Sequence, residues 1–161
     1  AADAQHLVAE FLVRLTSQVN RQGIPAISLA QDTSTLTACL NDYGQDQIFK
    51  RVMSSLAQEG DILLAISTSG NSSNIIEALK FANSESIYCL GFLGGDGGKA
   101  LQYCDSAFIV PSYVTARIQE SHITAGHAML QYVEDKLIAE GWLIKDAWWV
   151  GRFFYYLRFL S

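Results

Sequence analysis

Apolar residues follow two patterns along the chain. Short and nearly continuous apolar runs are typical of strands buried on both faces of a sheet, whereas apolar residues three and four positions apart are typical of helices. The runs predict strands at 25–30, 61–67, 86–93 and 106–112. The spaced patterns predict helices over the first fifteen residues and at 33–42, 45–58, 74–84, 99–104 and 115–140. Because strands alternate with helices, we expect an α/β domain whose parallel sheet is covered by helices on both faces.

The segment 141–161 does not follow this alternation. It contains all three tryptophans of the chain, and four charged residues interrupt it too often for a membrane span, which needs about 20 apolar residues. A helix packed on the domain or at a subunit contact is the main interpretation; an interfacial membrane helix and an atypical terminus are the alternatives. We therefore expect one domain at 1–140, followed by an aromatic-rich tail at 141–161, and no membrane span.

Composition narrows the class of protein. The chain has 161 residues, enough for one domain with a real core, and a formal net charge of -5. This charge argues against a nucleic-acid partner and favours a small molecule or a protein. The three cysteines form no C-x-x-C pair and no signal peptide opens the chain, so a reducing cytoplasm is the simplest location.

A cluster of hydroxyl side chains follows the second predicted strand. It consists of Ser67, Thr68, Ser69 and Ser72. Gly70 allows a close backbone turn within the cluster, and a predicted helix begins near Asn74. Hydroxyl groups that converge on a helix N-terminus suit a phosphate, because the free amides and the helix dipole favour an anion there. A plain strand-to-helix turn capped by Ser and Asn is the alternative.

This loop, "AISTSGNSSNII", resembles the phosphosugar-binding loop of the sugar isomerase (SIS) domain. Four further segments resemble the phosphoheptose isomerases within that family: "ADAQHLVAEF", "NDYGQDQIF", "GGDGGK" and "TARIQESHITAGH". The resemblance extends from about residue 1 to about residue 138. It implies a three-layer αβα sandwich with a parallel sheet, and a homotetramer whose active sites lie between subunits.

Two pairs of polar residues could bind a metal ion. His6 and Glu10 are four apart and share one helix face, and Gln119 and His127 are eight apart and share another. Imidazole, carboxylate and amide groups are suitable ligands for a zinc-type ion, although spacing alone fits a solvated helix face equally well. The resemblance implies that all four residues bind zinc, with one ion per site.

The resemblance also implies a reaction and a substrate-binding set. An aldose–ketose isomerase needs a base and an acid on opposite sides of the two reacting carbons, and the implied pair is Glu10 as base and His127 as acid. The implied substrate-binding residues are Asn41, Asp42, Ser67, Thr68, Ser69, Ser72 and Gln119. For Asn41 and Asp42 a plain turn is the alternative, since "NDYG" has the composition of one.

The resemblance therefore implies an isomerase that converts sedoheptulose 7-phosphate to D-glycero-D-manno-heptose 7-phosphate for bacterial lipopolysaccharide synthesis. The alternative is a non-catalytic SIS module, such as the bacterial adaptor that binds DnaA, which lacks counterparts of Glu10 and His127. Similar full-length enzymes carry a helix, a first strand and a Gly-Asn-Gly-Gly-Ser loop before the segment that matches "AADAQH". We expect the fold of this chain to lack that first helix and strand.

Overall fold

A computed structural model describes residues 1–30 and 32–145, together with the backbone of 157–160. The helices are α1 (Ala2–Leu12), α2 (Thr33–Tyr43), α3 (Ile48–Leu56), α4 (Ser73–Ser84) and α5 (Thr115–Ala139). The strands are β1 (Ala26–Ser28), β2 (Ile62–Ser67), β3 (Tyr88–Gly94), β4 (Ser106–Val110) and β5 (Leu157–Leu160). Short 3₁₀ helices cover Gln45–Gln47 and Gly98–Tyr103.

The strands form one parallel sheet in the order β1-β5-β2-β3-β4. Successive residues of β2 point to opposite faces. Leu64 packs with the buried side chains of α1 and α5, whereas Leu63 and Ala65 pack with those of α3 and α4. The sheet therefore lies between two helical layers, and the predicted αβα sandwich is confirmed.

The inner strand β5 differs from the sequence expectation for the tail. Leu157–Leu160 pairs with Ala26–Ser28 on one side and with Ile62–Ala65 on the other. A helix was expected for this part of the chain, so these four residues correct that expectation. The rest of the tail, at 146–156 and 161, lies outside the described residues. The position between β1 and β2 is thus filled by a strand from the tail.

Two loops rich in small and polar residues lie at the carboxyl ends of β2 and β3. The hydroxyl cluster begins at the end of β2, and the sequence "GGDGG" links the end of β3 to a 3₁₀ helix. Gly95 and Gly97 adopt φ values of +64° and +89°, which favour glycine. None of the helices in the described part of the chain is long and apolar enough to cross a membrane.

Candidate active site

The hydroxyl loop after β2 is a compact turn at the start of α4. Gly70 N donates to the Ser67 hydroxyl over 3.1 Å, and the Ser67 and Ser72 hydroxyls lie 3.2 Å apart. Ser72 precedes the first residue of α4, and its hydroxyl does not cap the helix. The first amides of α4 have no carbonyl partner within the helix. These donors and hydroxyls can hold an anion at the helix N-terminus.

The turn after β3 supports this loop through backbone contact. A Cβ added at Gly70, whose φ is +62°, would lie 2.0 Å from Gly97 O. Ala100 N donates to Gly70 O over 2.8 Å, and Lys99 N donates to the Asn71 side chain over 3.1 Å. The "GGDGG" turn therefore fixes the position of the hydroxyl loop.

Three titratable side chains meet where α1 packs on α5. His6 Nε2 lies 2.8 Å from His127 Nε2 and 3.8 Å from Glu10 Oε1. The two helices approach closely because position 126 is glycine: a Cβ on Gly126 would lie 2.6 Å from Leu7 Cδ2. The tight packing of Leu7 on Gly126 thus brings His6 beside His127, which is 121 positions away.

The chemistry of this cluster fits a metal ion. One ligand atom each from His6, Glu10 and His127 lies within 4.8 Å of the other two. The His6 side chain is 47% exposed and that of Glu10 is 21% exposed, so the cluster is accessible to solvent on the His6 side. Two imidazoles and a carboxylate are a common ligand set for catalytic zinc, which keeps a further position open. The three residues can therefore form a metal site.

Gln119 lies on the exposed surface of α5, two turns before His127. Eight residues of α-helix rise about 12 Å. All side chains of a helix lean toward its N-terminus, so this common lean does not shorten the separation between Gln119 and His127. The geometry of one chain therefore does not favour binding of a single ion by both residues.

Asn41 and Asp42 lie in the last turn of α2, and both are exposed. The alternative, a turn at "NDYG", is limited to its last residue, Gly44, where φ is +81°. Within residues 1–30 and 32–145, no hydrogen bond or ion pair links Asn41 or Asp42 to the hydroxyl loop or to the histidine cluster. Their role as sugar contacts stays a prediction.

Two other groups of titratable residues are structural. Burial raises the pKa of Cys89 to about 12 and that of Cys104 to about 11, and the nearby carboxylate of Asp105 adds to both shifts. These thiols stay protonated near neutral pH and are not nucleophiles. His122 is 1% exposed, its Nε2 lies 3.0 Å from Leu93 O, and burial lowers its pKa. It is therefore a packed histidine.

Comparison with known proteins agrees with this arrangement. Residues 1–94 match the family model described as the SIS domain. The phosphoheptose isomerase of Paramagnetospirillum magneticum is 48% identical over 134 residues, which are 83% of this chain and 69% of that protein. That of Pelobacter propionicus is 50% identical over 139 residues, which are 86% of this chain and 72% of that protein. The chain belongs to the phosphoheptose isomerase family.

Solved structures of phosphoheptose isomerases share the fold. The structure of phosphoheptose isomerase GmhA from Neisseria gonorrhoeae has a TM-score of 0.75 and 42% identity, covering 83% of this chain and 70% of that one. The structure of a phosphoheptose isomerase from Francisella tularensis has a TM-score of 0.76 and 36% identity, and the match covers 81% of this chain and 69% of that one. The family, the SIS fold and the isomerase class predicted from the sequence are confirmed.

Sequence reasoning missed two residues near the hydroxyl loop of this chain. Asn71 donates to Ser69 O over 2.8 Å and accepts from Lys99 N, so it joins the two glycine-containing turns. Asp46 accepts a hydrogen bond from the hydroxyl of Ser73, the first residue of α4. Asn beside Gly is a local turn signal. The contacts of Asn71 with Lys99 and of Asp46 with Ser73 join distant segments, and no local pattern in the sequence predicts them.

Proposed function

We propose that the chain interconverts sedoheptulose 7-phosphate and D-glycero-D-manno-heptose 7-phosphate, in bacterial heptose synthesis for lipopolysaccharide. The observation that carries this proposal is the cluster of His6, Glu10 and His127, which places a carboxylate and two imidazoles together. The relatives are phosphoheptose isomerases, which supports the substrate class. A non-catalytic adaptor is disfavoured because Glu10 and His127 are both present and close to one another.

The proposed reaction moves one proton between neighbouring carbons. The Glu10 carboxylate takes a proton from C1 of the ketose, a C1–C2 double bond forms, and the carbonyl electron pair moves to O2, which His127 protonates. Return of a proton to C2, with loss of the O1 proton, gives the aldehyde. All atoms of the sugar are retained, so the reaction needs no oxidant or reductant.

We propose that His6, Glu10 and His127 hold one zinc ion per site. When bound, the ion would polarise the sugar oxygens as a Lewis acid. A ring nitrogen that coordinates an ion carries no proton, so the ligand and acid roles of His127 require its two different ring nitrogens. Because Gln119 and His127 start about 12 Å apart along α5, we propose that Gln119 reaches the ion from a second copy of the chain in a homotetramer.

The hydroxyl loop supplies the proposed phosphate site. Ser67, Thr68, Ser69 and Ser72 surround the start of α4, where the helix dipole favours an anion. This role leaves the sugar end of the substrate for Asn41, Asp42 and Glu10. For location we propose the cytoplasm, which suits the three cysteines, all of which are free thiols.

Gly70→Ala should weaken phosphate binding. The new Cβ would meet Gly97 O at 2.0 Å, and φ of +62° is already unfavourable for alanine, so the loop must move. We expect KM for the sugar phosphate to rise by roughly tenfold or more, equivalent to about 1.4 kcal/mol of binding. Gly44→Ala is the matched control: its φ is +81°, but a Cβ there meets nothing within 4 Å. An equal rise of KM in both variants would argue against the phosphate site.

Metal removal tests the proposed activity. The purified chain should convert sedoheptulose 7-phosphate to the aldose, as followed by NMR of the sugar, and treatment with a chelator should lower turnover by about tenfold or more. Added zinc should restore it, whereas magnesium should not, because the imidazole ligands suit zinc. A folded chain that binds the sugar phosphate but never converts it would contradict the proposal.

A further inference from the structure

Arg21 lies in the connection between α1 and β1 and is buried, with 6% of its surface exposed. Its Nη2 donates to Glu10 O over 2.9 Å, and its Nη1 donates to Phe11 O over 2.9 Å and to Gln22 O over 3.0 Å. Nε donates to the Glu134 carboxylate. All three guanidinium nitrogens are therefore occupied, and two of them bind the last turn of α1.

The contact with α1 also provides hydrogen-bond donors for carbonyl groups at the end of this helix. The last carbonyls of a helix have no intrahelical donor, and the negative end of the helix dipole favours a cation there. No basic residue lies in the last turn of α1. Arg21 supplies both the donors and the charge, and one of the carbonyls it binds belongs to Glu10, the proposed base.

The other partner, Glu134, lies on α5 seven residues after His127 and therefore on the same helix face. Its side chain is 3% exposed and that of Arg21 is 0% exposed. The backbone of Arg21 also pairs with Lys145, in the segment that follows α5. One buried side chain thus connects the backbone of Glu10 to the helix that carries His127.

We propose that Arg21, held by Glu134, is a positioning residue that fixes Glu10 relative to His127 for metal binding and proton transfer. A residue that only stabilised the fold could be replaced by an apolar pair of similar size, because a buried ion pair often contributes little net stability. A positioning residue cannot be replaced in this way. Its hydrogen bonds to Glu10 O and Phe11 O fix the backbone position of Glu10, and thereby the position from which the Glu10 side chain extends.

The central experiment compares the parent chain with the double variant Arg21→Met/Glu134→Met, which removes both buried charges together. Zinc affinity, measured by competition with a chelating dye, should fall by about 10- to 100-fold, the usual effect of losing a partner that orients metal ligands. The value of kcat should fall in parallel. KM should change by less than about threefold, because the hydroxyl loop follows β2 and is untouched.

Two further variants separate positioning from stability. Met53→Ala opens a cavity in the core on the opposite face of the sheet, so it should lower the unfolding temperature but keep the parent zinc affinity. Arg21→Lys keeps a charge beside Glu134 but cannot reproduce the guanidinium contacts, so its zinc affinity should fall between those of the parent and the double variant. If the double variant does not fold, Arg21→Lys provides the test.

Parent-like zinc affinity in a folded double variant would overturn the proposal, as would an equal loss of affinity in Met53→Ala. The inference rests on the proposed isomerase site, and the measurements distinguish the two. If the parent converts no sugar but its zinc affinity still depends on Arg21, the proposed function fails and the positioning role stands. If the parent binds no zinc, the imidazole NMR signals of His6 and His127 decide: unchanged signals in the variants would overturn the role.

Discussion

Glu10→Gln is expected to lower kcat for sedoheptulose 7-phosphate by about 100- to 10,000-fold, the range expected for loss of a general base. The amide has nearly the size of the carboxylate but cannot accept a proton from carbon. KM should change little, because the hydroxyl loop is unaltered. Turnover is measured near neutral pH with zinc in excess, so that weaker metal binding does not by itself account for the loss.

Glu77→Gln is the matched control for this substitution. Glu77 is on α4 and pairs with Lys80 over 2.7 Å at the surface, so its loss should leave kcat close to that of the parent. Loss of proton transfer can also be followed directly, as exchange of the C1 hydrogen of the sugar with solvent deuterium. If the Glu10→Gln variant still exchanged this hydrogen at the rate of the parent, another group would have to be the base.

The second large effect is expected in the inner strand. Arg158 pairs with Ile27 on one side and with Leu63 on the other, and a proline at this position lacks the amide needed for the ladder. Arg158→Pro should lower the free energy of unfolding by about 3 kcal/mol or more. In a thermal melt this is a shift of roughly 6–12 °C for a chain of this size.

Two controls isolate the strand effect. Arg158→Ala removes the side chain but keeps the backbone amide, so it should cost much less than the proline. Thr33→Pro places a proline at the first residue of α2, after an extended Asp32 with φ of -95° and ψ of 105°, where proline is tolerated. Equal melting temperatures for Arg158→Pro and Arg158→Ala would show that β5 is not an inner strand of the sheet.

The sequence predicted most of the sheet because of how β2 and β3 are buried. Both strands are covered on two faces, so they read as continuous apolar runs that differ from helical spacing. Strand β5 was missed because the tail mixes aromatic and charged residues without a clear period. Its place between β1 and β2 depends on pairing with residues far away in the chain, which no local pattern records.

The candidate site also has a part that the sequence predicts and a part that it does not. The spacing of His6 and Glu10 shows that they share a helix face, but their meeting with His127 depends on the packing of α1 against α5. Only the resemblance to a family pointed to that contact before the structure did. Arg21 gave no signal at all, because it stands in a polar turn, "NRQG", and its carboxylate partner lies 113 positions later.

The position of β5 also affects how the molecule is made. Ala26 and Ile62 both pair with Leu157, so the inner strand leaves the ribosome after the two strands that it joins. At typical synthesis rates, the interval between Ser67 and Leu160 is on the order of ten seconds. During that time the facing edges of β1 and β2 have unpaired backbone groups, which can pair with a strand from another nascent chain. Slow translation of the tail, or a shortage of chaperones, should therefore increase aggregation of this chain during its synthesis.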